Sequence, residues 1–315
     1  MESPMKAFAL MAPERPPELV DLPIPEPEPG EIRVRVIAAS VNGFDVAASM
    51  GAMAPFFEYR YPVILGREFA GVVDALGEGT VGFAVGDAVF GVVSKRFLRE
   101  GAFAEHTTVS AADGARHAPG RIDVAEAASL GHTGTTALTI LDALGVDVSG
   151  RTVLVVGATG GVGTLLVQLA ARAGATVIAT GRTPAGRETL IDLGATATID
   201  YTRGLEPELA RIGRGHVDDA VHLSGDIDEI AGVTAAGGRV ISPLVYDPSV
   251  FAHPGITLVP IAAYPTGAGL ERLVALVDDG LRVIVDRELP FTQIAEALAA
   301  WGHESLGNLV VIIDA

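Results

Sequence analysis

The stretch from Thr152 to Arg182, TVLVVGATGGVGTLLVQLAARAGATVIATGR, constrains the fold more than any other part of this chain. Val153, Leu154, Val155 and Val156 form an unbroken aliphatic run, the pattern of a parallel strand buried on both faces. A glycine-rich turn follows. From Gly161 onward, Val162, Leu165, Leu166, Leu169 and Ala170 recur at helical spacing, and Gly174 is the permissive residue that ends a helix. A second strand is expected at Thr176 to Thr180, which completes a βαβ unit.

The turn Ala158-Thr159-Gly160-Gly161-Val162-Gly163 reads as a dinucleotide fingerprint with alanine in the place of the first glycine. Residues without side chains let the backbone approach a pyrophosphate, while free N–H groups and the positive end of the helix dipole face its charge. A tight crossing with no ligand would use glycine too, but both strands and the helix stand in register around this one. The second strand ends in Thr180-Gly181-Arg182-Thr183, with Arg187 shortly after and no acid at the usual ribose position. Arginine suits a 2′-phosphate, since its fork donates parallel charge-assisted hydrogen bonds. NADPH is therefore the expected cofactor, with Gly181, Arg182 and Arg187 at its adenosine end.

A chain of 315 residues, 49% of them hydrophobic, can bury a large core and suggests two domains. No run is long and apolar enough to span a bilayer, and Met1 to Lys6 lacks the pattern of a secretory leader. The net charge of −17 argues against nucleic acid or an anionic membrane as a main partner. The absence of cysteine excludes disulfides, thiolate nucleophiles and cysteine-ligated zinc. A cytoplasmic location fits these features best.

Residues 5 to 110 read as predominantly β. Lys6 to Leu10 is a short strand, and Pro23, Pro25, Pro27 and Pro29 force an extended path after it. Ile32 to Val36 alternates apolar and charged residues as a half-buried strand does. Gly71 to Val73, Asp87 to Gly91 and Phe103 to Val109 extend the pattern to a small barrel-like domain. Helical character appears at Ala125 to Leu130 and Thr136 to Leu144. Later strands are expected at Ala197 to Ile199, Val217 to Leu223, Arg239 to Ser242 and Thr257 to Ile261, with helices between them. Pro184 after Thr183 marks a helix start, and the alanine-rich segment before Gly237-Gly238 a helix end. A last helix at about Thr292 to Trp301 precedes a strand, Leu309 to Ile313, that should return to the first domain.

Taken together these motifs resemble the medium-chain dehydrogenase/reductase superfamily, and within it the zinc-free quinone oxidoreductases related to zeta-crystallin. The landmarks are Val41-Asn42-Gly43-Phe44-Asp45 with Gly51, Pro62 to Gly71, Gly86-Asp87, Gly101 to Glu105, Ala158 to Gly163, Val217-Asp218, Gly237-Gly238-Arg239 and Gly307 to Val311. The resemblance implies an α/β chain with a GroES-like, β-rich catalytic domain over residues 1–121 and 287–315. It also implies a Rossmann domain with a doubly wound parallel sheet over residues 122–286. NADPH would pass hydride to an electron-poor acceptor in a cleft between them.

Zinc-dependent relatives hold a catalytic metal with cysteine and histidine. The matching positions here resemble Asn42, Arg67 and His132, a set that makes no zinc site. Without a Lewis acid, the acceptor must itself stabilise negative charge, as a quinone or an α,β-unsaturated carbonyl does. The resemblance puts Asn42 and Asp45 beside the nicotinamide and Tyr201 near the 2′-phosphate. Ser224 and Ser242 complete the expected cofactor contacts. Arg67 either binds a substrate oxygen or pairs with Glu68. His132 either protonates the product oxygen or is a hydrogen-bonded core histidine. Asn308 stands where lysine is common near the cofactor. Phe44 and Tyr59, with Phe56, Phe57 and Tyr61 nearby in sequence, are expected at the substrate mouth. A quinone is the leading acceptor and an enone the alternative, with a non-catalytic NADPH-binding protein as a reading of another class. A homodimer is expected from the habit of the family.

Overall fold

A computed structural model describes residues 4–145, 148–302 and 305–314, so the stretch Met1 to Lys6 read for a leader lies partly outside the described residues. The chain divides into two compact units, Met1–Thr135 with Tyr264–Ala315, and Thr136–Ala263. Among the described residues no helix is long and apolar enough to cross a membrane.

The first unit is β-rich. Its central strand, Glu31–Val41, buries Ile32, Val34 and Val36 in alternation while Arg33 and Arg35 stay partly accessible, as the sequence pattern predicts. In the seven-stranded sheet this strand lies between Glu68–Leu76 and Asn308–Ile312, and His106–Ser110 pairs along its first half. Asn308–Ile312 runs antiparallel to it, with Val310 opposite Ser40, so the C-terminal strand does return to this unit. The strand expected at Phe103 to Val109 is confined to His106–Ser110. Phe103 belongs instead to the closed core, where its backbone bonds Leu65 and Phe8.

The compact unit extends past the boundaries expected at 121/122 and 286/287. The helix Gly267–Asp278 is held to it by Asp113, which accepts from Gly267 N at 3.0 Å, and by Arg121, which donates to the Asp278 carbonyl at 2.6 Å. Leu273 of that helix fills the space over Gly134, where a Cβ would come within 2.7 Å of it.

The second unit contains a six-stranded parallel sheet. Its spatial order is Ala197–Ile199, Thr176–Thr180, Thr152–Val156, Val217–His222, Thr234–Ser242 and Thr257–Pro260. Counted along the chain this is the order 3-2-1-4-5-6 of the Rossmann fold, with its switch point between Thr152–Val156 and Val217–His222. The helix Gly161–Arg172 buries Leu165, Leu166, Leu169 and Ala170, as its spacing requires. The alanine-rich segment departs from expectation. Its helix, Ile227–Gly232, stops before Ala235 and Ala236, because Thr234 pairs with Val217 and draws them into an extended strand. Parallel pairing overrides alanine's helix propensity here.

Candidate active site

The glycine turn of the second unit is built as a close approach of backbones. Gly157 leaves the first strand at φ +89, a conformation that favours glycine, and its N–H donates to the Thr180 hydroxyl at 3.0 Å. At Gly163 a Cβ would lie 2.5 Å from the Gly157 carbonyl oxygen and 2.6 Å from Ala158 Cα, so only glycine lets this helix sit on the strand end. At Gly160, the N-cap residue of the helix, the nearest atom to such a Cβ is 3.6 Å away and the space above is open. Thus Ala158 is tolerated because Gly157 takes the positive φ. Gly157 was not among the expected contact residues, and its place immediately after the aliphatic run was the available signal.

At the end of the second strand, Arg187 Nη1 donates to the carbonyls of Gly181 at 2.9 Å and Arg182 at 2.7 Å, and lies 3.7 Å from Asp200. Its guanidinium shapes the Gly181–Arg182 corner. An acid, Asp200, does stand beside this corner, although none follows the second strand directly; it caps the short turn Tyr201–Arg203 through Thr202. The hydrogen bonds from Thr202, and then the charges of Arg187 and Arg203, hold its carboxyl below the usual range. Arg182 and Tyr201 are exposed. Ser224 is exposed beyond the fourth strand, whereas the buried Ser242 hydroxyl is engaged by His222, Leu244 N and Val245 N.

In the first unit the residues expected near the reaction gather around a carboxylate that sequence reasoning did not single out. Glu68 is wholly buried. Its Oε1 accepts from the Ser40 hydroxyl, from Asn42 Nδ2 at 2.9 Å and from Thr133 Oγ1 at 2.7 Å. Its Oε2 accepts from the backbone N–H of His132 at 2.6 Å and of Thr133 at 3.1 Å, so the carboxylate caps the first turn of the helix Gly131–Leu144. Asn308 Oδ1 lies 3.4 Å from Thr133 Oγ1 and extends the cluster into the C-terminal strand. Burial pushes the Glu68 carboxyl up, against the hydrogen bonds that favour its charge.

Asp45, on the helix Gly43–Ser49, accepts from Asn42 N at 2.8 Å in a capping box. Arg67, 4% exposed, lays its guanidinium 3.9 Å over the Phe44 ring and 5.8 Å from the Phe57 ring. Phe44 also meets Phe57 edge-on at 5.7 Å and His132 at 6.1 Å. Tyr59 gives its hydroxyl to the Ala48 carbonyl at 3.0 Å, which ties the segment after Gly51 to the same helix. Phe56 and Tyr61 are exposed.

Burial, and next Arg67, push the His132 imidazole down to about 3, so it is neutral near pH 7 and is a poor proton donor. Asp45 behaves oppositely: burial, with a further contribution from Glu68, raises its carboxyl to about 7 against the Asn42 N–H, Arg67 and Gly66 N–H. Because the folded value exceeds the ordinary 3.8, stability from this group is full below that pH and is lost as pH rises toward 7. Asp45→Asn should therefore gain on the parent protein across that window, by roughly 4 kcal/mol at most. His132 contributes with the opposite sign, but it titrates in both proteins and cancels in the difference. Urea unfolding of the pair at a series of pH values measures the gap; a gap constant with pH contradicts the assignment.

Residues 28–119 match the family described as alcohol dehydrogenase GroES-like domain, and residues 161–243 match the zinc-binding dehydrogenase family. A chloroplast envelope quinone oxidoreductase homolog of Arabidopsis thaliana is 31% identical over 312 residues, covering 93% of each chain. A 2-methylene-furan-3-one reductase of Solanum lycopersicum is 32% identical over 185 residues, 57% of this chain and 47% of that protein. Among solved structures, an NAD-dependent alcohol dehydrogenase superposes with a TM-score of 0.85 at 29% identity, covering 98% of this chain and 100% of that one. The chain belongs to the medium-chain dehydrogenase/reductase superfamily, as a quinone oxidoreductase-like member. It is an oxidoreductase of a family that binds a nicotinamide cofactor.

Proposed function

We propose that the chain is an NADPH-dependent reductase that works without zinc and passes hydride to a quinone. The observation that carries this reading is the chemistry of the donors around Glu68. Where zinc-dependent relatives would place ligands, the chain has an amide that donates to Glu68, a guanidinium stacked on Phe44, and a single imidazole. Among the described residues no group of three or more His, Asp or Glu is suited to hold a metal ion. These residues do not fit zinc.

The nucleotide turn does fit a dinucleotide, because the space over Gly160 is open while Gly163 brings the helix start close to Ala158. Ala158 to Gly163 would face the pyrophosphate, with Arg182 and Tyr201 at the 2′-phosphate and Arg187 holding their corner in shape. Ser224 lies on the same edge of the sheet. When bound, the nicotinamide supplies the hydride. Asn42 orients the reacting ring, and Arg67 donates to the acceptor oxygen as charge develops there. Asp45 carries a proton near pH 7 for that oxygen, a role His132 is too weakly basic to fill. Phe44 and Tyr59 wall the acceptor. A homodimer belongs to the proposal from family habit, and light scattering tests it.

A second reading, reduction of an enone, is favoured by the likeness to the 2-methylene-furan-3-one reductase. A panel of quinones and enones with NADPH oxidation as readout separates the two. Turnover of enones alone defeats the quinone reading, and tight cofactor binding with no turnover points to a non-catalytic protein. Cofactor choice has its own test, sharpened by the NAD-dependence of the superposed alcohol dehydrogenase. Arg182→Ala should weaken NADPH by about tenfold and leave NADH nearly unchanged, the size expected for one charge-assisted contact. Arg187→Ala should weaken both, since it loosens the Gly181–Arg182 backbone. An Arg182→Ala protein that still prefers NADPH as strongly as the parent removes that residue from the phosphate.

A further inference from the structure

We infer that His222 is a positioning residue for the nicotinamide cofactor, holding in shape the two loops that leave the adjacent strands Val217–His222 and Thr234–Ser242; this rests on the cofactor reading above. His222 is the last residue of its strand and Ser242 the last of the next, and both side chains are buried, 5% and 0% exposed. His222 Nδ1 lies 3.0 Å from Ser242 Oγ, and His222 Nε2 lies 3.2 Å from the Gly225 carbonyl oxygen. Ser242 Oγ in turn accepts from Leu244 N at 3.0 Å and from Val245 N at 3.1 Å.

These contacts admit one consistent pattern of protons. A carbonyl only accepts, so Nε2 carries the hydrogen and donates to Gly225. Nδ1 is then the acceptor, and it takes the Ser242 hydroxyl proton, which leaves both lone pairs of that oxygen for the two backbone N–H groups. Burial pushes the imidazole down and keeps it neutral, as this pattern needs. One continuous chain of hydrogen bonds thus runs from residues 244–245 through Ser242 and His222 to Gly225. Serine and histidine use every bond they can make, so the Ser242 hydroxyl shapes a loop and is closed to direct contact with a ligand.

The place of the chain gives it its role. Leu223 N donates to the Val156 carbonyl at 3.0 Å, and a Cβ on Gly157 would come within 3.0 Å of Leu223 and 3.1 Å of Ser224. The loop that His222 holds is therefore packed on the nucleotide turn, at the switch point where open α/β sheets bind their ligands. A shift of Gly225 moves one wall of that crevice; a shift of Leu244 and Val245 moves the neighbouring loop.

The test begins with NADPH and NADH binding to the parent protein by calorimetry. If neither binds, the cofactor reading itself falls, and the inference with it. With binding established, His222→Phe removes both ring contacts at similar volume. It should raise KM for the cofactor by about tenfold, with kcat at saturating cofactor and KM for the acceptor changed by less than about twofold. His222→Asn, whose Oδ1 stands where Nδ1 was, should recover most of the loss; a substitution harmful only through packing would show neither the split nor the recovery. Should His222→Phe fail to fold, Ser242→Ala carries the same expectation, since Leu244 and Val245 lose their acceptor. Cofactor KM unchanged in a folded variant, or a rise in the acceptor KM alone, overturns the assignment.

Discussion

Gly163→Ala is expected to cost about 1–3 kcal/mol of stability, the range for forcing extra volume into a packed site, and to lower cofactor affinity by about a hundredfold. The added Cβ meets backbone, the Gly157 carbonyl oxygen at 2.5 Å and Ala158 Cα at 2.6 Å, and neither can swing aside as a side-chain end would. The helix must move off the strand end, and its first N–H groups move with it. Gly160→Ala is the matched control. Its Cβ has 3.6 Å to the nearest atom, so stability should change by less than about 0.5 kcal/mol, while affinity still drops because the methyl occupies the approach of the pyrophosphate. Urea melts paired with calorimetric titration of NADPH separate the two variants. Equal stability losses would mean that the crossing of helix and strand is looser than described.

Glu68 provides the second large effect. Glu68→Leu leaves the hydroxyls of Ser40 and Thr133, the Asn42 amide and two backbone N–H groups without their acceptor in a buried site. A loss of about 3–5 kcal/mol is expected, as for breaking other buried charged networks. Glu68→Gln should be far milder, about 1–2 kcal/mol. Its one oxygen can serve the two N–H groups, which have no freedom, while its two amide hydrogens reach the Ser40 and Thr133 hydroxyls, which can turn around to accept, so that only Asn42 Nδ2 loses a partner and it keeps its contacts to Ser40. Denaturant unfolding measures both, and a Gln variant as damaged as the Leu variant would show that the charge rather than the geometry holds the cluster.

The Rossmann half was legible because its signals are local. An aliphatic run, a glycine turn and an apolar stripe at helical spacing each occupy neighbouring positions, and the later strands reappear near their expected places. The half-buried strand around Ile32–Val36 was legible for the same reason. The Glu68 cluster was not. Glu68 follows an arginine in Arg67-Glu68-Phe69 and reads in sequence only as a partner for that arginine; the pairing of Glu31–Val41 with Glu68–Leu76, and the helix beginning at Gly131, surround it with donors. Arg187 shows the same limit from the other side, since its charge suggests a ligand contact and nothing in the sequence shows that its Nη1 donates to the carbonyls of its own corner. Ser242 is a similar case, spent on His222 and two N–H groups. Side-chain type announces what a residue can bond, and the fold decides which partner reaches it first.

The pairing of Asn308–Ile312 with Glu31–Val41 bears on how a ribosome delivers this protein. The nucleotide-binding unit is one uninterrupted segment, Thr136–Ala263, and can close as soon as it emerges. The β-rich unit begins before it and is completed after it, because Asn308–Ile312, the neighbour of its central strand, follows Ala263 in the chain. Until Asn308–Ile312 emerges, Glu31–Val41 therefore carries an open edge on the side that Leu309 to Ile312 will cover, the kind of edge to which stray strands add. A nascent chain stalled after Ala263 should thus hold a finished nucleotide unit and an unfinished, association-prone β unit, the reverse of the order in which their first residues leave the ribosome.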